Sequence, residues 1–140
     1  MTEKFKILGK YIKDMSSETK NTETYIFVKD HISRYQLDIN INSKAIKNKM
    51  IEIDTILKFE DKEEAKNKSY FELTFTTIVQ INNEIEDKDE IEKIVLCDSQ
   101  IQICPDLEKS FLNLLNNSGY PNVKFEKKID FEKLYNQRFN

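Results

Sequence analysis

The apolar residues of this chain change their spacing once, near residue 82, and that change limits the fold more than any single motif. Before it, large side chains recur at every second position, as in strands with one buried face; after it they recur every third or fourth, as on a helix. Phe5, Ile7, Tyr11 and Met15 are expected on one face of a first strand, where Gly9 suggests a bulge or a close backbone contact. Leu37, Ile39 and Ile41 alternate with Gln36, Asp38 and Asn40 in a second. Ile51, Ile53, Leu57 and Phe59 oppose Glu52, Asp54 and Lys58 in a third. Phe71, Leu73, Phe75, Val79 and Ile81 line a fourth, rich in the β-branched and aromatic types that fit a pleated surface. Ser16 to Tyr25 is polar and aperiodic, which reads as a long exposed crossover. Asp61 to Ser69 reads as a charged turn, and Asn82 to Asp89 as an acidic linker out of the sheet.

Beyond the linker, Asp87 and Glu90 have the spacing of a helix cap, and Ile91, Ile94, Val95 and Asp98 fall on one face of a first helix. A second helix is expected from Pro105 to Asn117. Proline in the first turn loses no intrahelical bond, and Gly119 just past the end tolerates a left-handed conformation. Leu107, Phe111, Leu114 and Leu115 make its apolar stripe, and Asp130 to Tyr135 starts a short terminal helix. Strands first and helices afterwards indicate an α+β fold: a four-stranded antiparallel sheet followed by two helices packed on one face. Residues 1–140 form a single domain on this reading, long enough to remove about two-thirds of the unfolded surface from water. Helices on one face would leave Val79, Ile78 or Ile56 on the other, for a second sheet or a partner helix to cover.

The residues offer little chemistry. His31 is the only histidine, so a nucleophile–base–acid arrangement has one possible base and no local motif around it. Two cysteines, Cys97 and Cys104, cannot build a four-sulfur zinc site and read as reduced structural thiols. Two glycines in the whole chain exclude a glycine-rich phosphate cradle, so no cofactor is expected. Glu63 with Glu64, and Glu84 with Glu86, read as solvated turns. A net charge of -3 with 34% charged residues carries no nucleic-acid footprint. Lys4, Lys6, Lys10 and Lys13 interrupt every candidate signal segment, and no run of about 20 apolar residues suits membrane insertion. A cytoplasmic protein is expected, and not an enzyme. Nine Phe and six Tyr are the more informative count: Phe71, Phe75 and Phe111 follow clean periods into the core, while Phe27, Tyr35 and Tyr135 do not.

Two distant segments carry a family likeness. Pro105 stands sixteen positions before Pro121 of Ser118-Gly119-Tyr120-Pro121, and Ile129-Asp130-Phe131-Glu132-Lys133-Leu134-Tyr135 follows. At the other end come Phe5-Lys6-Ile7 and Tyr11-Ile12-Lys13-Asp14-Met15-Ser16-Ser17-Glu18. In this order they resemble the C-terminal third and the first strand of SecB, the bacterial export chaperone family. Between them Phe27-Val28-Lys29-Asp30 and Leu37-Asp38-Ile39 also fit. The chain departs from the family at Thr76-Thr77, where a glycine pair is usual, at His31, usually tryptophan, and at Tyr70, usually aliphatic.

The resemblance implies an ATP-independent chaperone that holds unfolded precursor proteins in exposed apolar grooves and delivers them to the SecA motor. It implies a homotetramer, built as a dimer of dimers, with Phe5, Ile7, Tyr11, Ile91, Ile94 and Val95 at its interfaces. Phe27, Tyr35, Leu37, Ile39 and Tyr135 would line the client groove, and Asp14, Glu18 and Glu72 would receive SecA. The alternatives are a SecB-like holdase uncoupled from export, such as one protecting an antitoxin, and a small α+β ligand-binding or hotdog-like enzyme. The latter wants a long helix between early strands.

Overall fold

The computed structural model describes residues 3–63, 66–125 and 129–138. Strands β1 (Phe5–Glu18), β2 (Gln36–Ala45), β3 (Met50–Glu60) and β4 (Tyr70–Ile81) form one antiparallel sheet in the order β1-β4-β3-β2. The expected α+β architecture is therefore present, with the first two strands at opposite edges. Alternation sets the faces as read: Ile53, Leu57, Phe59, Phe71, Leu73 and Phe75 are buried under the helices. Val79 joins them, fully buried against Ile53 and Ile94, so it is not on the open face. Period two places it on the side of Phe75, and only Ile56 and Ile78 remain half-buried opposite.

Strand β1 departs from strict alternation. Its register against β4 shifts between Ile7 and Gly9 and again between Ile12 and Asp14, leaving Leu8 and Lys13 as extra residues. Each bulge resets the facing. Phe5 and Ile7 pair with Ile81 and Val79 on the helix side, Tyr11 pairs with Thr76 on the open side, and Met15 returns to the helix side opposite Leu73. The expectation that all four share one face is thereby corrected.

The crossover is also more ordered than its polarity suggests. Helix α1 (Thr22–His31) starts at Asn21, whose side-chain oxygen accepts from the Thr24 N–H at 2.8 Å. It buries only Thr24 and Val28. A 3₁₀ turn, Ile32–Arg34, then leads into β2.

After the linker, α2 (Lys88–Lys93), a π turn (Ile94–Asp98) and α3 (Ser99–Asn117) follow without a break. Pro105 does not open a helix; it lies inside α3. An interior proline removes a hydrogen bond and usually costs about 3 kcal/mol or more. Here Pro105 and Ile101, whose carbonyl loses its usual partner, both lie on the exposed side of α3. In the π turn the Val95 carbonyl accepts from Ser99 Oγ at 3.0 Å and Gln100 Nε2 at 3.5 Å. Gln100 is held in turn by the Thr55 hydroxyl at 2.8 Å.

Ile103, Leu107, Phe111, Leu114 and Leu115 recur at helical spacing and are buried on the sheet. Gly119 ends α3 with a φ of 101°. A Cβ there would lie 2.6 Å from the Tyr25 ring, whose hydroxyl donates to the Gly119 carbonyl at 3.0 Å. Glycine thus lets α1 close on the end of α3. Helix α4 (Phe131–Arg138) buries Phe131 against the main core.

Candidate functional site

Strand β2 is a sheet edge, and its helix-side residues Leu37, Ile39 and Ile41 are only half-buried. Beside them lie two open grooves. The first, of about 650 Å³, is lined by Ile32, Tyr35, Leu37 and Phe59 together with Val123, Phe125 and Ile129 from the segment after α3. The second, of about 490 Å³, is lined by Ile41, Ala45 and Ile51 of the hairpin and by Ile91, Val95 and Leu96 of the helical rod, with Asn42, Ser43, Lys88 and Glu92 as its polar members. Ile39 sits between Leu37 and Ile41 on the same face, and Tyr135 packs against both apolar clusters of the core.

Tyr35 lines the first groove from a buried position. Its ring packs on Phe59 at 5.5 Å, and its hydroxyl accepts from the Ser69 N–H at 3.0 Å. Burial pushes its hydroxyl above the usual tyrosine pKa, against the opposing Ser69 bond. Phe27 lines neither groove, because its ring is stacked on His31 at 4.1 Å with the Arg34 guanidinium 5.6 Å from its centroid. Arg34 also anchors the approach to β2, donating from Nε to Asp61 at 2.8 Å. Burial alone would raise the Asp61 pKa; the Glu63 N–H and the Arg34 guanidinium outweigh it and hold the carboxyl below its usual range.

The groove residues that sequence reasoning missed are Val123, Phe125 and Ile129. They belong to an irregular segment and acquire meaning only by contact, as when Phe125 stacks on Phe111 at 6.0 Å. Ile41, Ile51 and Phe59 carried a legible signal, the strand period, but it reads equally well as ordinary core.

The open face brings the three expected carboxylates together. Asp14 lies opposite Thr74, Ser16 opposite Glu72, and Glu18 opposite Tyr70, so Asp14 and Glu18 flank Glu72 diagonally. Strand geometry puts such neighbours about 7–8 Å apart. Lys58 stands 3.7 Å from Glu72. Behind them Lys13, turned by its bulge, reaches Glu52 at 3.2 Å and Asp54 at 3.1 Å; these bonds raise its pKa and keep it charged.

The expected interface residues are scattered. Phe5 and Ile7 are half-buried on the helix side of β1, and Tyr11 is exposed on the open side. Leu8, Ile12 and Met15 of the same strand are each about half exposed, as is Ile101 of α3 beside Phe5 and Ile7. Ile91 lines the second groove. Ile94 and Val95 are buried within the chain against Ile53, Val79 and Ile81, and this corrects their expected place at an interface.

His31 Nδ1 is 2.7 Å from the Phe27 carbonyl, so that ring nitrogen is engaged by its own helix. Cys97 and Cys104 form no disulfide, and burial raises the pKa of Cys97, which disfavours its reactive thiolate. Among the described residues no group of three or more His, Cys, Asp or Glu side chains is placed to hold a metal. None of the described helices is long and apolar enough to cross a membrane.

Comparison with known proteins agrees over the whole length. The family described as preprotein translocase subunit SecB matches residues 1–140. A putative protein-export protein SecB of Pelagibacter ubique is 60% identical over 140 residues, covering all of both chains. The protein-export protein SecB of Methylocella silvestris is 24% identical over 130 residues, 93% of this chain and 79% of that protein. The fold is similar to that of a SecB-like chaperone of Mycobacterium tuberculosis, solved in complex with a ChAD peptide from an antitoxin. That likeness has a TM-score of 0.65 at 8% identity and covers 89% of this chain and 90% of the other. An edge strand flanked by apolar grooves and a match from end to end lead to one conclusion: the chain belongs to the SecB family, whose members are chaperones of protein export and not enzymes.

Proposed function

We propose that this chain, acting as one domain, is an ATP-independent holdase that takes extended apolar stretches of unfolded precursor proteins along β2 and delivers them to SecA. The observation that carries the reading is the edge itself: Leu37, Ile39 and Ile41 stand half-buried in a row between two apolar grooves. An extended segment added there takes backbone hydrogen bonds that ignore its sequence, while every second side chain enters a groove. Each large apolar side chain removed from water contributes about 1.5 to 3 kcal/mol. Ordering the segment offsets much of that gain. One groove therefore binds weakly, and several on one assembly raise avidity by on the order of a hundredfold.

The assembly is a homotetramer, a dimer of dimers, joined through β1 with Phe5, Ile7 and Tyr11 aided by Leu8, Ile12 and Met15. Their apolar exposure along one edge supports this. Asp14, Glu18 and Glu72 form the docking patch for SecA, steering its approach by charge. The protein works in the cytoplasm.

The test is to mix the purified protein with a chemically unfolded precursor and follow light scattering. Suppressed aggregation without nucleotide is expected, and undiminished aggregation would remove the holdase reading. Asp14→Asn, Glu18→Gln and Glu72→Gln together should abolish SecA binding while holding persists. Should the unaltered protein hold precursors yet leave SecA unbound, it is a holdase uncoupled from export.

A further inference from the structure

The turn joining β2 to β3 carries a lysine where its backbone favours glycine. Asn48 and Lys49 have φ values of 57° and 59°, both left-handed. The Met50 N–H donates to the Lys47 carbonyl at 3.1 Å, closing a two-residue hairpin loop. Glycine is preferred at the second position of such loops, because a side chain there crowds its own backbone. Lysine gains nothing from that backbone.

Its side chain is where the gain lies. Lys49 Nζ donates to the Asn83 carbonyl at 2.8 Å and to the Ile85 carbonyl at 2.6 Å, both in the linker from β4 to α2. Two further bonds run the other way, from the Ile81 N–H to the Lys49 carbonyl at 2.9 Å and from Gln80 Nε2 to the Asn48 carbonyl at 2.6 Å. On its other flank the linker is tied to the start of the chain, through bonds from Asn82 to the Lys4 and Glu3 carbonyls. The linker thus hangs between the chain start and the hairpin tip.

This matters because α2 buries none of its six residues. Ile91 packs half-buried against the second core cluster and Glu90 pairs with Lys4 at 3.6 Å, so the ends of the helix, the π turn and the linker, share in setting its position. Helix α2 contributes Ile91 to the second groove, opposite Ala45 and Ile51 of the hairpin that Lys49 closes. We propose that Lys49 is a positioning residue: its ammonium, seated on the Asn83 and Ile85 carbonyls, fixes α2 relative to the hairpin and so sets the width of the second groove. The consequence for binding rests on the reading that this groove takes client segments.

Lys49→Gly separates the two roles, since it relieves the turn and removes the ammonium; Lys49→Arg keeps a cation. Hydrogen exchange by mass spectrometry is read across residues 84–96. Binding is read with a fluorescein-labelled extended peptide of alternating leucines. In Lys49→Gly, exchange in that stretch is expected to rise about tenfold while the thermal midpoint does not fall. Peptide release should be about fivefold faster or more. Lys49→Arg should restore most of the protection. Unchanged exchange in Lys49→Gly, or a Lys49→Arg protein that behaves like it, would overturn the proposal. If the unaltered protein binds no peptide, the groove reading fails, while the exchange comparison still decides whether Lys49 holds α2.

Discussion

Strands β1 and β2 are the two edges of one sheet, yet they keep their apolar side chains in different ways. β2 matches β3 residue for residue from Gln36 to Ala45, so Leu37, Ile39 and Ile41 stay aligned on one side. Val123, Phe125 and Ile129 lie beside Leu37, and Ile91, Val95 and Leu96 beside Ile41. β1 shifts register twice against β4, and its apolar residues fall on both faces; Phe5 and Ile7 are half-buried, whereas Leu8, Tyr11, Ile12 and Met15 are exposed. Phe5 and Ile7 pack against the helical side, and the strand's other ties there are polar, an ion pair from Lys10 to Asp106 and a 2.7 Å hydrogen bond from Ser118 to Ser17. A straight, roofed edge repeats the same offer along its length and suits many loosely related segments. A kinked, bare edge presents one irregular shape, which suits a single matching surface.

The largest test of this contrast is Leu8→Asp with Ile12→Asp. Burial of each large side chain contributes about 1.5 to 3 kcal/mol, so the pair should dissociate the assembly. Light scattering should then report smaller particles, with peptide affinity per chain nearly unchanged; a full-sized assembly would break the comparison. Next comes Gly119→Ala, which strains a left-handed residue and drives a methyl into Tyr25. Urea unfolding should show a loss of about 2 kcal/mol. Ile39→Asp should weaken peptide binding about tenfold and leave particle size alone. If it changes size instead, the roles of the two edges are reversed. The smallest effect belongs to Asp106→Asn, where an exposed ion pair is worth about 0.2–1 kcal/mol and should fade with added salt.

The sheet was legible because β2, β3 and β4 alternate cleanly, and α3 because Leu107, Phe111, Leu114 and Leu115 keep a helical period. What escaped has physical causes. A bulge inserts a residue that no periodic count registers, so Tyr11 was expected on the wrong face. Helix α1 buries only two side chains, leaving Asn21 as its main signal. Pro105 reads as a helix start because proline fits there, but a solvent-side interior position also tolerates it. At the site, Leu37 and Ile39 could be read from their alternation. Val123, Phe125 and Ile129 could not, since contacts with Phe111 and β2 made across the fold give them their place. The gathering of Asp14, Glu18 and Glu72 depends on a pairing of Ser16 with Glu72 that only the folded register supplies.

The kinks in β1 also bear on solubility. Between its interruptions the strand offers only Phe5–Ile7, Gly9–Ile12 and Asp14–Glu18 as regular ladders, the longest of them five residues. Fibril-forming stacks need about six or seven continuous residues. This member of the SecB family thus carries no uninterrupted template of that length on its barest flank for other strands to polymerise upon.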